Sequence, residues 1–111
     1  MIRVKWDLEE AVALYNLYIT LGYPIPKAKL SRLSELLNIR AEKLGIEKDE
    51  KFRNITGLNM QSACIHYVVT NGSSGLSSAN RLFNQVDKLY NLEREKFDTI
   101  LKDFIDKYGE I

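Results

Sequence analysis

The sequence is poor in the residues that build covalently or metal-held folds. Its 111 residues include one cysteine and one histidine. Cys64 alone forms no intramolecular disulfide and no cysteine zinc site, and His66 alone forms no histidine metal cluster within one chain. Two prolines and six glycines are too few for a linker or a collagen-like chain. No apolar run approaches the roughly 18 residues of a membrane span. The segment from Met1 to Leu8 carries Arg3, Lys5 and Asp7 in place of the apolar stretch of a secretory signal. What remains is ordinary globular composition, 45% hydrophobic and 28% charged, at a length that suits one domain over 1–111. The expectation is a small cytoplasmic domain without a membrane partner.

Charge is nearly balanced overall, at +1, but unevenly spread. Residues 1–54 carry ten Lys/Arg against eight Asp/Glu, and residues 92–111 carry four against six. Between Ile55 and Asn80 there is no charged residue at all, where average composition would place about seven. Such a stretch is either a buried central element or a neutral recognition surface.

Hydrophobic spacing predicts an all-α domain of about five helices, with room for a short β-hairpin or extended loop. Asp7 is a good N-cap with Glu10 as its capping-box partner, and Trp6 is placed to staple onto Ala11, so the first helix is expected over 8–21. The second follows Pro26, with Leu30, Leu33, Leu36 and Leu37 as its stripe; Asn38 is a weak break before a further turn reaching Gly45. Thr56 is the expected cap of a third helix, which reads as central because it is apolar around much of its circumference. Asn71-Gly72-Ser73-Ser74-Gly75 is the clearest loop. Ser77 or Ser78 would cap a fourth helix bearing Leu82, Val86 and Leu89. Asn91 would cap a fifth, in which Phe97, Ile100, Leu101, Phe104, Ile105 and Tyr108 form one face and Gly109 ends it.

Enzyme motifs are missing: there is no P-loop, dinucleotide glycine fingerprint, nucleophile elbow or metal-binding pair. Cys64 and His66, two apart on a helix, face about 200° away from each other and form no nucleophile–base pair. They read as a core hydrophobe and a hydrogen-bonding polar residue. No catalytic residue, cofactor or metal is expected. A nucleic-acid reading has more to stand on. Lys27, Lys29 and Arg32 lie at the start of the second helix, and Lys51 and Arg53 precede the third. Lys/Arg groups of this kind bind phosphates. Nearby amides and hydroxyls, Asn54, Asn59, Gln61, Asn71, Ser73 and Ser74, suit base edges or sugars. Trp6, Tyr15 and Tyr18 read as core.

The order of the segments carries a resemblance. Trp6, then Glu9-Glu10-Ala11 leading to Leu17-Tyr18, then Leu30-Ser31-Arg32-Leu33-Ser34-Glu35-Leu36-Leu37, then Phe52-Arg53-Asn54-Ile55-Thr56-Gly57-Leu58-Asn59-Met60, then Gly75-Leu76-Ser77 resembles the N-terminal DNA-recognition domain of McrA-like HNH endonucleases, which restrict modified DNA. The match runs from about Trp6 to Ser78, and F-R-N-x-x-G is its most specific part. Gln61 stands where the family commonly has Lys, and Cys64-Ile65 where Asn-Phe is expected. One histidine is too few for an HNH metal site.

The resemblance implies a module of a defence or restriction-modification system that binds double-stranded DNA, modified DNA in particular, without cutting it. A nuclease or other effector protein would act beside it. Arg53 would then anchor a phosphate or read a guanine edge, Asn54 would fix the turn or contact a base, and Gly57 would permit tight entry into the helix. The 71–78 loop would sense a base modification in a groove. Arg53→Ala with Lys51→Ala would abolish binding without unfolding. In the structural alternative Asn54 hydrogen-bonds the turn and Arg53 pairs with Glu50 or a C-terminal acid. A second functional class, a helical protein–protein adaptor or modulator of a defence complex, would use the acidic final helix.

Overall fold

The computed structural model describes residues 2–77 and 80–111. Five helices follow in order: α1 (Leu8–Leu21), α2 (Lys27–Lys43), α3 (Ile55–Val69), α4 (Asn80–Leu92) and α5 (Arg94–Tyr108). The described residues contain no strand, so the β-hairpin left open by the sequence is not formed among them. No described helix is long and apolar enough to cross a membrane. The radius of gyration, 13.2 Å, is that of a compact domain of this length, about 13 Å.

The arrangement is a ring around an axle. α2 packs on α3, α3 on α4, α4 on α5 and α5 back on α2, while α1 touches all four. α1 therefore has no free side through its middle: Glu10, Ala11, Val12, Ala13, Leu14 and Tyr15 are buried in unbroken succession. This corrects the expectation that α3 is the central helix. A charge-free sequence is not the same as a buried one. α3 buries Leu58, Ser62, Ala63, Cys64, Ile65 and Val68 but leaves Thr56, Asn59 and Met60 exposed. Uncharged amides and hydroxyls still prefer water to an apolar core.

The local signals account for the element ends. Asp7 caps α1: its carboxylate accepts the Glu10 amide at 3.0 Å, and Glu10 Oε1 accepts the Asp7 amide at 3.2 Å. α2 runs through Asn38, whose side-chain amide donates to the Ser34 carbonyl at 2.9 Å and to the Phe52 carbonyl at 3.2 Å. The expected break becomes a tie between α2 and the turn before α3. Asn54, not Thr56, caps α3, its Oδ1 accepting the Gly57 amide at 2.8 Å. α4 continues past Asn91, whose side chain bonds back to Asp87, and Glu93 rather than Asn91 precedes α5. Ser78, one of the two expected caps of α4, lies outside the described residues. Gly109 ends α5 as expected. The core joins Tyr15, Leu33, Leu58, Ile65, Phe83, Phe97 and Phe104 into one cluster, with Trp6 packed against it.

Candidate nucleic-acid interface

The F-R-N-x-x-G segment, the most specific part of the resemblance, is built into the fold. Phe52 is buried. Arg53 takes a left-handed backbone conformation (φ 49°) that turns its side chain inward. Its guanidinium grips the Glu10 carboxylate with two donors, Nε at 2.7 Å and Nη2 at 2.9 Å. The two side chains are 8% and 2% exposed. Further donors reach the carbonyls of Val4 (3.2 Å) and Lys5 (3.1 Å), and the guanidinium carbon lies 4.6 Å from the Trp6 ring centre and 4.4 Å from that of Phe52. Buried charge of this kind is tolerated only when its hydrogen bonds are satisfied. Asn54 is occupied by its cap, and Gly57 lacks a Cβ because one would sit 3.0 Å from Asn54 Oδ1. Asn54 thus fixes the turn, one of the two roles expected of it, while Arg53 is taken up in a buried pair with Glu10 in place of Glu50 or a C-terminal acid.

A second arginine completes this knot. Arg40, from the end of α2, donates to Asp7 at 2.7 Å and to Glu9 at 2.6 Å. Burial alone would lower its pKa, but the hydrogen bonds and charges of Glu9 and Asp7 outweigh that and raise it. The first turn of α1 thus holds α2 through Arg40 and the entry to α3 through Arg53.

The remaining candidates divide among three places. Lys27, exposed at the start of α2, lines a hollow of about 280 Å³ with Ile25, Ile55, Thr56 and Asn59. Lys51 and Gln61 line a larger groove of about 470 Å³ on the N-terminal segment, together with Arg3, Lys5 and Met60. Between these hollows runs the solvent-facing ridge of α3, Thr56, Asn59 and Met60, at the i, i+3, i+4 spacing of one helix face. The structure thus brings Lys27, Lys51, Asn59 and Gln61 around the first half of α3.

Lys29 and Arg32 are drawn elsewhere. Lys29 Nζ donates to the Ile111 backbone oxygen at 3.3 Å; Arg32 Nε donates to the Glu110 carbonyl at 3.1 Å, and Arg32 also pairs with Glu35. Both secure the segment after α5. Asn71, Ser73 and Ser74 are exposed at the other end of α3, roughly 20 Å along a helix of 15 residues.

Their loop doubles back on α3. The Leu76 amide donates to the Ala63 carbonyl at 3.1 Å, and Ser73 Oγ closes on the Thr70 carbonyl at 2.8 Å. Gly75 (φ 99°) lies so close that a Cβ would meet Ala63 O at 2.4 Å and Tyr67 N at 2.6 Å. This is a fixed fold-back, and it sets Leu76, 43% exposed, one turn from Met60, 55% exposed.

Arg3 and Lys5 are not among the residues singled out from the sequence. Their alternation with Val4 ahead of Trp6 is the signal that points to them. Cys64 is buried, as expected. His66 is half-buried, with Nδ1 2.8 Å from the Tyr18 hydroxyl and its ring stacked on Tyr23 at 4.4 Å. No cluster of three or more His, Cys, Asp or Glu among the described residues could hold a metal.

Comparison of the chain with protein-family models, with curated proteins and with solved structures gave no match in any of the three.

Proposed function

We propose that this chain is a recognition module for double-stranded DNA, modified DNA in particular, that holds the duplex without cutting it and serves a nuclease or other effector protein. One observation carries the reading: an exposed, uncharged helix ridge, Thr56, Asn59 and Met60, flanked by Lys27 in one hollow and Lys51 in the other. A duplex groove has the matching order, with neutral base edges in the middle and phosphates on both sides. The Asn59 amide on the ridge would address a base edge, and Met60 offers an apolar contact of the kind a pyrimidine methyl group takes. The resemblance to McrA-like recognition domains agrees with this reading.

Fluorescence anisotropy tests it, with matched duplexes carrying unmodified, methylated or hydroxymethylated bases, each over a range of salt. The expected outcome is salt-sensitive binding with a preference for one duplex. Lys27→Ala and Lys51→Ala should each flatten the salt slope by about one. Absence of binding to every duplex at low salt overturns the reading. A protein–protein adaptor is the second reading, favoured by Leu92, 79% exposed as the last residue of α4 next to Glu93. It calls for a protein partner lost on Leu92→Asp and for indifference to DNA.

A further inference from the structure

The segment ahead of α1 carries two cations that the reading above does not use. Arg3 and Lys5 are exposed and Val4 between them is half-buried, the alternation of an extended chain. The backbone of this arm is held at both ends. The Ile2 amide donates to Asp49 Oδ2 at 3.4 Å. The Arg53 guanidinium, already fixed by Glu10, takes the carbonyls of two consecutive residues, Val4 and Lys5, and lies over the Trp6 ring.

The arm and Lys51 both line the 470 Å³ groove. Asp49 is the one carboxylate among the groove's described lining, and its oxygens already accept the amides of Ile2 and Lys51. Among the described residues no carboxylate pairs with Arg3, Lys5 or Lys51. Exposed cations two apart on an extended chain stand about 7 Å from each other, comparable to the step between successive phosphates on one strand.

We propose that residues 2–6 are a second DNA contact, an anchored arm in which Arg3 and Lys5, with Lys51 of the same groove, hold consecutive phosphates of one strand of the duplex. Arg53 is the positioning residue that fixes the arm's backbone from beneath. The proposal rests on the DNA-binding reading and adds to it a contact outside α3 and a task for a buried arginine that touches no DNA. Because the arm meets phosphates, its contribution is independent of base sequence and modification.

The test is the salt dependence of duplex binding by the whole chain and two variants. In the double variant Arg3→Gln/Lys5→Gln both changes are at exposed positions, and urea unfolding should match the wild type. Its slope of log K against log salt should fall by roughly two, with affinity near 0.1 M salt down about tenfold or more, equally on every duplex. Arg53→Lys keeps a cation but cannot span Glu10 and both carbonyls. At a temperature where it is fully folded, it should show the same flattened slope and faster tryptic cleavage after Arg3 and Lys5 without DNA. Wild-type binding with an unchanged slope in the double variant overturns the arm and leaves the recognition module standing. Arg53→Lys with wild-type slope and cleavage overturns the positioning role. Failure of the wild type to bind any duplex overturns both the arm and the reading beneath it.

Discussion

Arg53 and Glu10 show how a residue that looks functional in one dimension can belong to the fold in three. A basic residue before a helix, followed by an amide, suggests a phosphate contact, and the sequence supplies no local sign of a partner 43 positions away. The structure reverses the expectation that Arg53 can be removed without harm. Breaking a buried pair leaves its other charge unmatched, at about 3–5 kcal/mol. Arg53→Ala and Glu10→Ala should each lower urea stability by that order, and the double variant by clearly less than the sum, since the second change removes the stranded charge. Single costs below about 1 kcal/mol would show that the pair does not hold the entry to α3. Lys51, exposed and unpaired among the described residues, keeps the property expected of it and should change without loss of stability.

At the scale of elements, periodicity and caps were informative where the deciding contacts are local. α1 spans Leu8–Leu21 with its Asp7–Glu10 box because both ends are written within three residues of themselves. The caps of α3 and α5 were not settled so, since Asn54 and Thr56 are similar cap formers two places apart and only the surrounding turn selects between them. Asn38 failed as a breaker because Phe52 from another segment satisfies it. The 71–75 loop was legible as a loop, but its return along α3 depends on one glycine. Gly75→Ala would force a Cβ into the Ala63 carbonyl and keep a left-handed backbone. The expected cost is at least about 1–2 kcal/mol, measured by thermal or urea unfolding. A wild-type transition would mean that the loop lifts away freely.

Across the whole molecule the helical class was legible and the arrangement was not. Which helix becomes the axle depends on which faces find partners, and Tyr15 shows this. Its hydroxyl, at 1% residue exposure, donates to Asp87 Oδ1 at 2.5 Å and ties α1 to α4. Burial first, then the Asp87 hydrogen bond, raises its pKa; burial and Tyr23 raise that of Tyr18. In the unfolded chain a tyrosine ionises near pH 10. Above that pH the unfolded state has shed a proton that the folded state keeps, so stability is full below about pH 10 and falls as pH rises from there toward the raised folded pKa, by up to roughly 1.4 kcal/mol per pH unit for Tyr15. Urea unfolding between pH 8 and about pH 11 should show the decline, and Tyr15→Phe should be flatter above pH 10. Parallel curves would mean that the hydroxyl is not held protonated by the fold.

The sole tryptophan has a consequence of its own. Trp6 stands at the junction of arm and body, edge-on to Phe83 at 6.3 Å between ring centres and beneath the Arg53 guanidinium, on the wall of the larger groove. Its indole is therefore a built-in optical gauge. Release of the arm would expose the ring and shift its emission to the red, global unfolding would do so completely, and a strand laid along the groove would quench it in place. The intrinsic fluorescence of the unlabelled chain separates these three events.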